Sequence, residues 1–267
     1  MKIDVFFSPT GLDDLSMRGR NVVIIDVLRA STTICTALRN GAREVIPTPD
    51  IESATKISAN LSSDSRLLGG ERQGKKIDGF DLGNSPLEYT LEKVGGKTIV
   101  FTTTNGAGAI YKCRYASMAL VGTFVNVSAI VRTMVDIGGT WTILCSGREG
   151  AFSVEDATCA GMMISEVQSE VLRRIPREDK PSAKVETGDA GLTAAVLYKK
   201  FRRSILEMIK KSEHGKYLIS IGFSEDLKFC AQIDGVPVIP IVDGTGIKLK
   251  SERDPHSEGQ PKLAVNA

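Results

Sequence analysis

A chain of 267 residues, 42% hydrophobic and 25% charged, holds enough apolar material for one large core or two small ones that share it, which excludes global disorder. Its 34 Lys and Arg face 32 Asp and Glu, so there is almost no net field; a nucleic-acid binder would show a basic excess, and any anion specificity has to come from local clusters. Five cysteines at wide spacing without a C-x-x-C pair argue for buried free thiols rather than disulfides or a zinc knuckle, and no window nears the ~18 apolar residues of a membrane span. The expectation is a cytoplasmic protein with neither a nucleic-acid nor a membrane partner.

In chain order, short β-prone runs are predicted at residues 3–7, 21–27, 44–48, 66–69, 98–102, 119–122 and 141–145. Helical periods fall between most of them, at 31–40, 50–61, 86–94, 106–113, 126–137 and 155–173. Alternation of this kind predicts an α/β fold with a largely parallel sheet covered on both faces by helices. The charged, proline-broken stretch at 175–187 reads as a connection within a single domain spanning residues 1–250. Helices at 189–211 and 225–231 and apolar runs at 236–242 and 246–249 then complete the fold, and the polar stretch 251–267 reads as a flexible tail.

Ligands of an open parallel sheet gather at the carboxyl ends of the strands, and four chemically rich clusters follow strands here. After the first, Asp26-Val-Leu-Arg-Ala-Ser-Thr-Thr33, a carboxylate at a strand end suits Mg²⁺ and Arg29 suits a forked contact with an oxyanion. The plain alternative is that Ser31 caps the helix and Arg29 pairs with Asp26. The second cluster, residues 69–86, packs five glycines around Glu71, Asp78 and Asp81, with Arg72, Lys75 and Lys76 as anion contacts, and reads as a long functional loop. It ends in Ser85-Pro-Leu-Glu88, which has the form of a capping box.

The third cluster, Thr102-Thr-Thr-Asn-Gly-Ala-Gly-Ala109, offers hydroxyls, an amide and small residues at a helix start, an oxyanion cradle in which Thr104, Asn105 and Gly106 are central. It lacks the lysine of a Walker A loop and the third glycine of a dinucleotide fingerprint. In the fourth, Cys145-Ser-Gly-Arg-Glu-Gly150 and onward, Ser146, Gly147 and Arg148 are candidate substrate contacts and Glu149 a candidate proton carrier. Ser153-Val-Glu-Asp156 has cap spacing, so Asp156 is as readily structural as metal-bound.

No cysteine has arginine six residues on, position 28 is leucine where a D-x-D phosphatase needs a second aspartate, and the only histidines are His214 and His256. Carboxylate plus magnesium remains the economical chemistry.

Together, Val22-Val-Ile-Ile-Asp-Val-Leu-Arg-Ala-Ser-Thr-Thr33, Gly-Gly-Glu-Arg72 with Phe80-Asp-Leu-Gly-Asn-Ser-Pro86, Thr103-Thr-Asn-Gly106, and Ser146-Gly-Arg-Glu-Gly150 with Glu155-Asp156 resemble the 2-phosphosulfolactate phosphatase family. The four blocks lie in the family's order between residues 22 and 156, and the C-terminal third resembles it more loosely. The resemblance implies a three-layer α/β/α architecture with a largely parallel or mixed central sheet. It also implies a Mg²⁺-dependent phosphomonoester hydrolase that converts 2-phospho-3-sulfolactate to 3-sulfolactate in coenzyme M biosynthesis, acting on a small anionic phosphorylated organic acid. On that reading Asp26, Glu71 and Asp156 hold Mg²⁺, and Arg29, Arg72, Thr104, Asn105, Gly106, Ser146, Gly147 and Arg148 hold the substrate. Asp26 and Arg29 act at the reaction centre, Asp81 or Glu149 manages the proton, and a homodimer is the starting expectation. The competing reading is a non-catalytic binding module for the same kind of anion.

Overall fold

The computed structural model describes residues 1–176 and 184–250. The tail expected at 251–267, and the middle of the connection expected at 175–187, lie outside the described residues.

The first half of the chain runs β1 (Lys2–Phe6), β2 (Asn21–Ile25), α1 (Ala30–Arg39), β3 (Glu44–Thr48), α2 (Ile51–Ala59), β4 (Arg66–Arg72), β5 (Lys75–Lys76), α3 (Leu91–Val94), β6 (Thr98–Thr102) and α4 (Gly106–Lys112). It continues through β7 (Met118–Gly122), α5 (Val127–Ile137), β8 (Thr140–Cys145), α6 (Val154–Arg174) and the two-residue β9 (Glu186–Thr187). Helices α7 (Asp189–Phe201), α8 (Ile205–Lys211), α9 (Glu213–Ser220) and α10 (Ser224–Cys230) follow, and the hairpin β10 (Pro240–Asp243) and β11 (Gly246–Leu249) closes the described chain.

The sheet order is β5-β4-β6-β3-β11-β10-β7-β2-β8-β1-β9. Strands β4, β6 and β3 form one parallel block and β7, β2, β8, β1 and β9 another. Between them sits the antiparallel hairpin, with Ile241 opposite Leu120 and Ile247 opposite Val45. Each block would otherwise present an open edge, and the hairpin satisfies both at once.

Continuous apolar runs such as Val22 to Ile25 suit strands buried on both faces. Alternate residues divide as the pleat requires: Val23 and Ile25 join a core with α5, α6 and the C-terminal helices, while Val22 and Ile24 join a second core with α1 and α4. The sheet is therefore the middle of three layers, as expected from the sequence. Local signals place several helix ends: the Asp50 carboxylate accepts from Ser53 N at 2.7 Å to start α2, and Ser153 Oγ accepts from Asp156 N at 3.3 Å to start α6.

Three expectations change. The helix expected at 86–94 is a 3-10 turn at Pro86–Glu88 followed by the four-residue α3, because Ser85 Oγ donates to Asp226 at 2.7 Å instead of capping. Glu88 turns to accept from Gly83 N at 2.8 Å. The loop expected across 69–86 begins as strand, since β4 runs on to Arg72 and returns as β5 with Glu71 opposite Lys76. The helix expected at 189–211 is broken into α7 and α8, and α9 was not anticipated. All five cysteines are buried and free, and no helix among the described residues is long and apolar enough to cross a membrane.

Helices α6 and α7 approach so closely that a Cβ on Gly161 would lie 1.9 Å from the Ala194 carbonyl oxygen. Gly161→Ala is expected to lower stability by about 1–3 kcal/mol through overpacking, read as a shift in the urea midpoint with an unchanged slope.

Candidate active site

The loops that follow β2, β4, β6 and β8 meet at one end of the sheet and line a cleft enclosing roughly 440 Å³, its open mouth included. Asp26, Leu28 and Arg29 enter from the first loop, Glu71, Gln73, Gly74 and Asn84 from the second, Thr103 to Asn105 from the third, and Arg148 and Glu149 from the fourth. Helix α9 supplies the remaining wall with His214 and Tyr217.

Asp26 sits where β2 ends and α1 begins. Its Oδ1 accepts from Ala30 N at 3.2 Å, and its own N–H donates to Ser31 Oγ at 2.9 Å, so Ser31 braces the strand end rather than capping the helix. Gly106 at the start of α4 allows the close approach: a Cβ there would lie 2.7 Å from Asp26 Oδ2 and 2.6 Å from Ala30 Cβ. Burial pushes the Asp26 carboxyl up to about 7, with the charges of Glu71 and Glu155 adding to the effect.

Glu71 locks two loops together. Its Oε1 accepts from Thr104 N at 2.7 Å, and its Oε2 accepts from Gly74 N at 2.7 Å and from Thr104 Oγ at 3.2 Å. Asp156, expected as a metal ligand, spends Oδ1 on Val27 N at 2.9 Å and Oδ2 on Gly147 N at 3.1 Å, tying the loop after β2 to the loop after β8. Burial first, then Asp26 and Glu155, hold the Asp156 carboxyl well above the usual range.

Arg29 is 2% exposed and reaches neither Asp26 nor open solvent. Its guanidinium donates to Asp226 Oδ2 of α10 at 2.7 Å and to the Gly74 carbonyl at 2.7 Å, and lies 4.2 Å from the Phe223 ring centroid. Asp226, also 2% exposed, accepts from Ser85 with its other oxygen at 2.7 Å. The guanidinium still borders the cleft, now held by a buried ion pair.

Several residues predicted for the site do not line the cleft. Arg72 donates to the Glu71 carbonyl at 2.9 Å and to Thr102 Oγ at 3.1 Å, which keeps it on the strand ends. Asp81 accepts from Leu68 N at 2.7 Å on the far side of β4 and is away from the lining residues, so it is not placed to carry a proton there. Gly106, Ser146 and Gly147 are not among the lining residues, although Ser146 and Gly106 both abut the Asp26 carboxylate; Gly147 holds a left-handed φ of +65° as it delivers its N–H to Asp156. Thr104, Asn105, Arg148 and Glu149 do line the cleft, and Asn105 Oδ1 accepts from Glu149 N at 2.8 Å to join the third and fourth clusters.

Sequence reasoning missed His214, Tyr217, Asn84 and Asp226. Tyr217 donates to the Gln73 carbonyl at 2.8 Å, fixing α9 over the loop after β4. His214 Nδ1 lies 3.7 Å from Glu155 Oε1, and burial, with Arg148 and Arg29 adding positive charge, depresses the imidazole to about 3. Asn84 is 5% exposed, and its Oδ1 has no hydrogen-bond partner among the described residues. Only Asn84 lies in a block that the sequence singled out, inside a stretch whose neighbours had louder chemistry.

Among the described residues no three His, Cys, Asp or Glu side chains are grouped to hold a metal ion. Asp26 and Glu71 nevertheless present hard oxygens to one cleft, and Mg²⁺ is ordinarily held by one or two carboxylates with water and substrate phosphate completing its shell. The donor chemistry therefore fits magnesium, with two carboxylates rather than three.

The family model described as 2-phosphosulpholactate phosphatase matches residues 7–245. A protein of Caldanaerobacter subterraneus subsp. tengcongensis, named probable 2-phosphosulfolactate phosphatase, is 38% identical over 240 residues, 90% of this chain and 95% of the relative. One of the same name from Symbiobacterium thermophilum is 39% identical over 225 residues, 84% of this chain and 92% of the relative. Another from Clostridium beijerinckii is 37% identical over 240 residues, 90% and 96% of the two chains.

The depressed imidazole sets a pH window. With His214 near 3 when folded and near 6.5 when unfolded, the unfolded chain takes up the proton first, so stability is full above about 6.5 and is lost as pH falls toward 3. Between pH 7 and 5 the loss from this group is about 2 kcal/mol, and His214→Gln is expected to remove it. Urea unfolding of both proteins at the two pH values checks this; an equal loss in the variant contradicts it.

Proposed function

The chain belongs to the 2-phosphosulfolactate phosphatase family, and from that premise we propose that it hydrolyses 2-phospho-3-sulfolactate to 3-sulfolactate and phosphate with Mg²⁺ as cofactor. The observation that carries the proposal is the convergence of four strand-end clusters, spread from Asp26 to Glu149, on one cleft with buried carboxylates inside and Arg148 at its edge.

The substrate carries phosphate, carboxylate and sulfonate, roughly four negative charges whose desolvation is costly without matched cations. Arg148 lines the cleft with its nearest carboxylate partner, Glu213, 3.9 Å away and almost fully exposed, so its donors are free to turn to an anionic ligand. Arg29, held by Asp226 and Gly74, borders the cleft as one half of a buried ion pair. Thr103, Thr104 and Asn105 offer hydroxyl and amide donors between them.

Asp26 and Glu71 would hold the Mg²⁺, which when bound supplies neutralisation of the phosphoryl oxygens during in-line displacement. Water attacks phosphorus, the bond from phosphorus to the ester oxygen breaks, and the proton lost by water ends on the leaving alkoxide. We assign the passing of that proton to Glu149, which lines the cleft and whose backbone N–H donates to Asn105 Oδ1.

Phosphate release from 2-phospho-3-sulfolactate and from 2-phospholactate, each with Mg²⁺ or with EDTA, tests the reading. Expected is magnesium-dependent turnover faster on the sulfonate; no release from either compound would overturn it. Asp26→Asn is expected to lose at least about a hundredfold in kcat. Arg148→Ala is expected to raise KM about tenfold with a smaller change in kcat, as loss of a charged hydrogen bond worth about 1.5–3 kcal/mol implies.

A further inference from the structure

The floor of the cleft poses a contradiction for a site that binds an anion. Asp26 and Glu71 can only accept hydrogen bonds when ionised, and Asn84 adds a third acceptor whose Oδ1 is buried with no partner among the described residues. An unsatisfied buried carbonyl is costly, and an anionic ligand cannot satisfy it.

Asn84 is also fixed in place. Its main-chain oxygen accepts from Thr33 Oγ on α1 at 2.9 Å, in the first turns of the helix that Asp26 precedes. Asp26 Oδ2 is flanked by Gly106 and, through it, by Thr103, in the same loop whose Thr104 N–H is held by Glu71. Side chains from three loops thus line one cleft, with the Asn84 backbone held by Thr33 and the Glu71 carboxylate held by Thr104 and Gly74.

Resting on the magnesium reading above, we propose that Asn84 Oδ1 is the third protein oxygen of the cation site, beside Asp26 and Glu71. Asp156, which ties the loops after β2 and β8 and is not among the residues lining the cleft, stands outside that set. A neutral amide in the third place keeps the protein's own charge at the cation to two carboxylates, which leaves the ion electrophilic enough to attract a phosphoryl group and suits its usual pairing with substrate oxygens.

The test is Mn²⁺ binding to the full chain without substrate, followed by water-proton relaxation, for wild type, Asn84→Ala and Asn84→Asp. Expected is saturable binding by wild type, a weakening of about tenfold or more in Asn84→Ala, and affinity equal to or tighter than wild type in Asn84→Asp, which restores an acceptor and adds charge. Wild-type affinity in Asn84→Ala would overturn the assignment and leave the magnesium reading standing. Loss of affinity in Asn84→Asp equal to that in Asn84→Ala would overturn it too, because an oxygen at that position would then not matter. No Mn²⁺ binding by wild type would remove the cation reading itself.

Discussion

The buried ion pair between Arg29 and Asp226 is the constraint from which the rest of the site follows. Both groups are 2% exposed, so neither can be hydrated, and each is stable only while the other is present. Asp226 is nearly 200 residues beyond Arg29 in the chain, with a separation of 197. Pairing them forces α10 against the loop after β2, draws in Ser85 through the second Asp226 oxygen, and sets Phe223 under the guanidinium. The C-terminal helices are therefore a wall of the cleft and not an appendage, and α9 comes with them, carrying His214 and Tyr217.

The same logic of mutual satisfaction runs through the other carboxylates. Glu71 and Asp156 are buried acceptors whose partners are backbone N–H groups of other loops, so each works as a clamp: Glu71 between the loops after β4 and β6, Asp156 between those after β2 and β8. Asp26 carries one backbone donor on its carboxylate, and burial, with the charges of Glu71 and Glu155 adding to it, raises its pKa. A site built this way is rigid in its loops and electrostatically expectant at its centre.

Much of this was legible in the sequence because the strand and helix periods of the first 174 residues are strong, and because parallel sheets place their chemistry just after strands. The positions of β3 and β6, the cap at Ser153, and the roles of Thr104, Asn105 and Arg148 as cleft residues all came from local pattern. What escaped was non-local. Nothing near Asp226 announces a partner in another loop, a lone His214 has no spacing to betray it, and the hairpin β10–β11 reads only as two apolar runs that complete the fold, although it fills the middle of the sheet. Ser85 shows the same limit from the other side: its local form promised a cap, and a distant carboxylate claimed its hydroxyl. Arg72 and Asp81 looked like site residues by proximity in sequence, but the antiparallel return of β5 and the backbone of β4 hold them elsewhere.

The most direct measurement is a double-mutant cycle in which Arg29→Met, Asp226→Leu and the combined variant are unfolded in urea. If the pair holds the cleft together as described, each single change strands a buried charge and costs about 3–5 kcal/mol, and the combined variant is more stable than either single one. Losses that simply add would show that the two side chains are independent, and the C-terminal helices would then lose their place as a wall fixed by the first loop.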